Sequence, residues 1–104
     1  MATADVTVLS LGREGTSASE YIAEIQRRLS AQDRVKFQMH AMGTSLEGET
    51  GDILAVVGQI HAVPFELGIE RVYTVLKLDE RRDRPGQTLE DKVRSVEARL
   101  SASE

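Results

Sequence analysis

Apolar residues recur along the chain at spacings that alternate between two and about 3.6 residues, and this alternation constrains the fold more than any other feature. Residues 6–11 are rich in β-branched side chains and predict a first strand. Residues 35–41 alternate apolar with polar side chains, and residues 44–49 continue that pattern after a short turn, which predicts a hairpin. Residues 69–79 form a longer apolar run, which predicts a strand buried on both faces.

The first predicted helix opens at Ser17, which has Glu20 three residues later in the spacing of a capping box. Because its apolar residues recur at helical spacing, they form one stripe along the helix. These residues are Ala18, Ile22, Ile25 and Leu29.

The second predicted helix has Asp52 as its N-cap and ends before Gly68, a natural C′ residue. Pro64 lies near its end and removes a helical hydrogen bond, so we expect a kink or an early break near Val63.

The third predicted helix starts after the breakers Pro85-Gly86. Thr88 and Asp91 have the spacing of an N-terminal cap. Its apolar stripe is narrow and consists of Leu89, Val93, Val96 and Leu100.

This order of elements, β-α-β-β-α-β followed by one helix, predicts a ferredoxin-like α+β fold with an additional C-terminal helix, formed by residues 1–104 as a single domain. Both long helices then lie on one face of the sheet. The strands at 6–11 and 71–78 carry apolar side chains on both faces, so the open face also requires burial. We therefore expect a homo-oligomer.

Composition excludes several classes of function. The chain has no cysteine, which excludes disulfides, thiolate metal sites and cysteine nucleophiles. The formal net charge of −4 argues against a general nucleic-acid binder. The first residues show no basic stretch or long apolar run, and no segment is long enough to span a bilayer. We expect a cytoplasmic protein that needs neither a membrane nor a cofactor.

Catalytic motifs are sparse. His40 and His61 lie on different elements without metal-ligand spacing, and neither a Walker A nor a G-x-S-x-G sequence occurs. Gly12-Arg13-Glu14-Gly15 follows a strand and precedes a helix, where anions can bind, but a plain loop is favoured. We therefore expect a protein that is not an enzyme.

Two further segments each allow two interpretations. Residues 42–49 place Glu47 and Glu49 on one strand face with Ser45 beside them, either as a solvated edge or as polar groups of a pocket. Residues 79–84 are either a loop held by local ion pairs or a set of arginines that bind carboxylate or phosphate. From spacing alone, the solvated interpretation is favoured for both.

The sequence resembles the small thiamine-binding protein family over nearly its whole length. The specific stretches are M-G-T-x-x-E-G-E at 42–49 and K-x-D-x-R-R-D at 77–83. The weaker ones are Val8 to Gly12, Thr16-Ser17 to Tyr21-Ile22, Arg71 to Leu76, and Lys92 to Glu97. Pro64 departs from the pattern, where a helix-forming residue is expected.

The resemblance implies a ferredoxin-like fold, a homodimer or homotetramer, and binding of thiamine or its hydroxymethylpyrimidine portion without a known catalytic reaction. It implies that the Glu47 carboxylate accepts a hydrogen bond from the aminopyrimidine, with the Thr44 and Ser10 hydroxyls nearby. An acidic or aromatic wall suits the cationic thiazolium. The candidate ligand-binding residues are Ser10, Gly12, Gly43, Thr44, Glu47 and Arg82.

Two classes of function follow. The first is a carrier, buffer or sensor of thiamine or its pyrimidine precursor. The second is a regulatory or assembly module that acts through protein contacts and retains no ligand. An enzyme on the same scaffold is a third possibility, since ferredoxin-like folds host many functions. The lack of a convincing nucleophile or set of metal ligands makes an enzyme less favoured than the other two classes.

Overall fold

Residues 1–12 and 18–102 are described by a computed structural model, in which helices and strands follow one another in the predicted order. The elements are β1 (Ala2–Ser10), α1 (Ser19–Ser30), β2 (Lys36–His40), β3 (Gly43–Gly48), α2 (Thr50–Glu66), β4 (Val72–Glu80) and α3 (Leu89–Ala102).

The strands form one antiparallel sheet in the order β2-β3-β1-β4. β1 lies between two neighbours, so that Val6 pairs with Thr44 of β3 on one side and with Leu76 of β4 on the other. This β-α-β-β-α-β topology, followed by α3, confirms the predicted ferredoxin-like α+β fold.

The core lies between one face of the sheet and the helices α1 and α2. Every second side chain of β1 is buried there, from Ala2 to Val8, because successive strand residues point to opposite faces. Each fully buried aliphatic side chain stabilises the fold by roughly 1.5–3 kcal/mol. The helices contribute Tyr21, Ile25, Leu29, Ile53, Val56, Ile60 and Val63.

The buried stripe of α1 differs from the predicted one. Tyr21 is 3% exposed and packs in the core, whereas Ile22 is 38% exposed. The helix begins at Ser19, and its N-cap, Ala18, makes no side-chain capping bond. The predicted cap, Ser17, lies outside the described residues.

Strand boundaries also differ from prediction. β1 begins at Ala2 rather than Val6, although Ala2, Ala4 and Asp5 have weak strand propensity, because Ala2 pairs with both Gly48 and Glu80. The hairpin turn is Ala41-Met42, which makes Gly43 the first residue of β3.

Of the kink or early break expected near Val63, the early break is wrong, since the helix continues to Glu66 with Pro64 inside it. The Pro64 carbonyl accepts a hydrogen bond from the Ile69 N–H (3.0 Å), and Gly68 N–H donates to Phe65 (3.1 Å). Gly68 has a φ of +87°, as predicted for a C′ residue, and these bonds form a Schellman motif. Pro64 therefore belongs to the helix terminus, and its ring is fully buried.

The predicted N-cap of α2, Asp52, is also wrong. The helix begins at Thr50, with Glu49 as its N-cap residue, and Asp52 lies in the first turn. A carboxylate in that turn interacts favourably with the helix dipole.

The α3 capping prediction is confirmed. The Asp91 N–H donates to the Thr88 hydroxyl (3.1 Å), and the Thr88 N–H donates to the Asp91 carboxylate (3.0 Å). The first turn of α3 lies against the open sheet face, while Val93 and Val96 beyond it are exposed. Tyr73 and Val75 of β4 are exposed too, so the expected burial of β4 on both faces is not met within one chain.

Candidate functional site

A largely apolar groove lies between α1 and the β2-β3 hairpin, and we name it the hairpin groove. It has a volume of ≈ 610 Å³, within the range of small-molecule sites. Its lining residues are 7–9 of β1, 39–44 of the hairpin, and Ala18, Tyr21, Ile22, Ile25 and Gln26 of α1.

The walls of the hairpin groove are mostly apolar. Ile22 and Ile25 of α1 lie on one side, and Met39 and Met42 of the hairpin contribute to the other. Both methionines are largely exposed. Because methionine is unbranched and polarisable, this wall can adapt its shape to a flat ring.

Few polar groups enter the groove. The Gln26 side-chain N–H₂ donates to the Thr44 hydroxyl oxygen (Nε2···Oγ1 3.1 Å), which joins α1 to β3. The Tyr21 hydroxyl oxygen accepts a long hydrogen bond from the Ser10 N–H (3.4 Å). An apolar site with a small number of placed polar groups is the usual composition of a ligand pocket.

The hairpin tip is held against β1 by side chains of the open sheet face. The Thr7 hydroxyl donates to the Met42 carbonyl (3.0 Å). The His40 ring contacts the Asp5 carboxylate (Nε2···Oδ1 3.0 Å) by reaching across β3, where Gly43 has no side chain in the way. These contacts position the residues that line one end of the groove.

The structure brings together only part of the predicted site. Gly43 and Thr44 line the hairpin groove, and Ser10 lies beside Tyr21, which also lines it. Glu47 is three residues from Thr44 on the same strand and therefore points to the opposite, open face. The hypothesis that Glu47 shares a pocket with Thr44 and Ser10 is thus corrected.

Glu47 contacts α3 instead. Its carboxylate accepts a hydrogen bond from the Leu89 N–H (Oε1···N 2.9 Å), a donor that the helix itself leaves unsatisfied. Glu49 follows the end of β3 as the N-cap residue of α2, and its carboxylate lies 3.9 Å from the N-terminal ammonium group of Met1.

Gly12 and Arg82 lie away from the hairpin groove. Gly12, with a φ of +73°, lines a separate depression of ≈ 400 Å³ beside the end of α2. The rest of the loop Gly12-Arg13-Glu14-Gly15, residues 13–15, lies outside the described residues. The Arg82 side chain is 93% exposed and pairs with Glu80 (3.3 Å).

Local ion pairs account for the charged segment 79–84, as the solvated interpretation predicts. Arg81 pairs with Asp83, and this contact lowers the pKa of the Asp83 carboxyl. A hydrogen bond from the Thr50 hydroxyl (2.5 Å) lowers the pKa of Glu80, with a smaller contribution from Arg82.

Neither histidine belongs to a metal-ligand cluster in the part of the chain that the structure describes. His61 Nδ1 forms a hydrogen bond with the Thr74 hydroxyl (2.7 Å), and its ring packs edge-on against Phe65. Across residues 1–12 and 18–102, the helices are too short or too polar to cross a bilayer.

Gln26 and Tyr21 are the groove residues that sequence reasoning missed as site candidates. Gln26 follows Ile25 and lies one turn after Ile22, at the border of the apolar stripe. That border position is the feature of the sequence from which a role of Gln26 in the groove could have been predicted.

Comparisons with known proteins agree with this fold. A family model described as "Thiamine-binding protein" matches residues 4–97. The UPF0045 protein YqgV of Bacillus subtilis is 43% identical over 103 residues, covering 96% of this chain and 98% of the relative. The UPF0045 protein of Methanothermobacter thermautotrophicus is 40% identical over 101 residues, covering 96% of this chain and all (100%) of the relative.

Solved structures show the same fold. A crystal structure of MJ1052 from Methanocaldococcus jannaschii superposes with a TM-score of 0.80 at 33% identity, covering 91% of this chain and 94% of that one. A protein from Thermotoga maritima, proposed to act in thiamine biosynthesis or salvage, superposes with a TM-score of 0.74 at 24% identity. That superposition covers 91% of this chain and 97% of the other.

Proposed function

Because this chain belongs to the family of thiamine-binding proteins, we propose that it binds thiamine or its hydroxymethylpyrimidine portion in the hairpin groove and releases it unchanged. Such a protein acts as a carrier, buffer or sensor of the vitamin rather than as an enzyme. The observation that carries this proposal is the position of Gly43 and Thr44. They belong to the Met42–Glu49 stretch that resembles the family, and they line a largely apolar groove of fitting size.

The chemistry of the groove suits the ligand. A methylated pyrimidine is a flat, mostly apolar ring with polar atoms along one edge, and the Ile and Met walls can cover its faces. Among the Phe, Trp and Tyr residues that the structure describes, Tyr21 lines the groove, which supports it as the aromatic contact.

Titration calorimetry with thiamine and with the pyrimidine alcohol tests this proposal. We expect saturable binding, and mass spectrometry should recover the ligand intact after incubation. Ile22→Trp places a large side chain in the groove from a partly exposed position and should weaken binding at least about tenfold. Leu54→Trp makes a similar change on the exposed side of α2 and serves as the control. Absence of binding, conversion of the ligand, or equal loss in both variants would contradict the proposal.

We further propose that the functional form is a homo-oligomer. The open sheet face carries exposed Leu9, Tyr73 and Val75, and α3 presents the exposed Val93 and Val96. This apolar surface also favours the second class of function, an assembly module. Co-purification of a different chain, together with no response to thiamine, would favour that second function.

A further inference from the structure

We infer that Gln26 and Thr44 recognise one edge of the ligand, where a ring nitrogen that accepts a hydrogen bond lies next to an amino group that donates one. This inference rests on the proposed function and deepens it by assigning the residues that select an aminopyrimidine from its oxo analogue.

The first step of the argument is the hydrogen bond between the two side chains. Gln26 Nε2 donates to Thr44 Oγ1 at 3.1 Å. A hydroxyl that accepts one hydrogen bond keeps its own hydrogen to donate. A primary amide that donates one N–H keeps its second N–H and also a carbonyl oxygen that can accept.

The second step is that these two groups have no partner within residues 1–12 and 18–102. Neither Gln26 Oε1 nor the Thr44 hydroxyl hydrogen takes part in a further hydrogen bond there. Thr44 is only 5% exposed, so water has little access to its hydroxyl hydrogen. Both side chains line the hairpin groove, so a bound ligand can supply the missing partners.

The third step is the match of donors and acceptors. The pair offers a donor, the Thr44 hydroxyl, beside an acceptor, Gln26 Oε1, and the second hydrogen of Gln26 Nε2 remains a further donor. An aminopyrimidine offers the complement: a ring nitrogen to accept from Thr44 and an adjacent amino group to donate to Gln26. In the oxo analogue an oxygen replaces the amino group, and the ring nitrogen carries a hydrogen. If the analogue binds in the same orientation, its ring N–H faces the Thr44 hydroxyl hydrogen, and its oxygen faces Gln26 Oε1.

The test compares thiamine with oxythiamine, its oxo analogue, by calorimetry on the full-length chain. We expect the wild-type protein to prefer thiamine by roughly 10- to 100-fold, because the analogue leaves both protein groups unsatisfied. Gln26→Ala should reduce this preference to less than about threefold. Gln59→Ala, the same change on the exposed side of α2, should retain it.

Thr44→Val and Thr44→Ser make the test independent of any folding defect in the Gln26 variant. Valine keeps the shape of threonine in its buried position and removes the hydroxyl, so the preference should be lost while thermal melting shows a folded protein. Serine keeps the hydroxyl and should restore the preference.

The outcomes separate the inference from the proposed function. Binding of thiamine with no preference over oxythiamine, or a preference that survives both Gln26→Ala and Thr44→Val, would overturn the inference and leave the proposed function standing. Binding of neither compound by the wild-type protein would overturn both.

Discussion

Gly43 allows the hairpin to lie directly against β1. A Cβ atom at this position would be 2.8 Å from both the Val6 carbonyl oxygen and the Thr7 Oγ1, closer than van der Waals contact permits. The Val6 oxygen belongs to the backbone of the central strand and cannot rotate away. The same missing side chain opens the path along which His40 reaches Asp5 across the sheet. A single glycine thus sets both the strand spacing and the position of the groove wall.

Replacing Gly43 with alanine should therefore destabilise the protein by about 1–3 kcal/mol, as overpacking of a well-packed site does. Urea unfolding of the variant measures this change. Gly58→Ala is the matched control, because Gly58 lies in the interior of α2 with open space around it. Alanine is the better helix former, so that control should gain about 0.5–1 kcal/mol. Equal stability of Gly43→Ala and the wild type would show that the strands can separate without cost.

Individual site residues were only partly predictable. Thr44 and Glu47 are an odd number of positions apart on one strand, and strand alternation alone places them on opposite faces. Their separation was thus available from the sequence. The role of Gln26 was not, because it depends on the distance between α1 and β3, which tertiary packing sets.

At the scale of elements, α3 is attached to the sheet through its first turn. Glu47 accepts the hydrogen bond of Leu89 N–H, Lys92 pairs with Asp79, and the Thr88–Asp91 capping box closes the N-terminus. Beyond this turn the helix carries no buried residue. The attachment therefore depends on polar contacts of a few residues, most of which involve a carboxylate.

These contacts predict an acid-sensitive first turn. The hydrogen bond from Thr88 N–H lowers the pKa of Asp91 below its usual value of 3.8. A carboxyl whose pKa is lowered by folding stabilises the folded state at pH values above the pKa that it has in the unfolded chain, about 3.9. This stabilisation disappears as the pH falls through the lower pKa of the folded state.

An NMR titration of the Asp91 carboxyl carbon checks this prediction, with the same carboxyl in the urea-unfolded chain as the reference. The folded value should be the lower one. Asp91→Asn should lose less stability than the wild type when the pH falls from about 5 to about 2, since asparagine does not titrate. A folded pKa equal to or above the unfolded one would contradict the prediction.

Element boundaries were less predictable than the order of the elements. The order followed from periodicity, which depends on which faces are buried. The start of β1 at Ala2 did not follow from periodicity, because it depends on pairing with β3 on one side and β4 on the other. Pro64 was misjudged because proline is tolerated where its carbonyl accepts the Schellman hydrogen bond of Ile69 and its ring is buried.

At the scale of the whole molecule, the open sheet face and α3 both expose apolar side chains within residues 1–12 and 18–102. On the open sheet face, Leu9 and Tyr73 are direct cross-strand partners, and Tyr73 is 54% exposed. On α3, Val93 and Val96 project beyond the attached turn, and Val96 is 58% exposed. Contiguous apolar surface of this kind usually marks an interaction site.

A homo-oligomer that covers α3 should dissociate when a charge is placed on that stripe. Val96→Lys introduces an ammonium group into the apolar surface, and an unpaired charge in an interface core is strongly unfavourable. Ala98→Lys adds the same charge to the same helix two residues on, about 200° around its axis, and so on the opposite side. We expect Val96→Lys to weaken self-association at least about tenfold and Ala98→Lys to leave it unchanged.

Sedimentation equilibrium over a range of micromolar concentrations measures both variants against the wild type. Because Val96 is exposed in the single chain, its replacement should leave the protomer folded, and circular dichroism should show the same helix content in all three proteins. A wild-type protein that sediments only as an 11.5 kDa monomer would contradict the homo-oligomer. If the wild type and Val96→Lys associate equally well, the chains must associate through another surface, and the open sheet face around Tyr73 becomes the next position for a lysine.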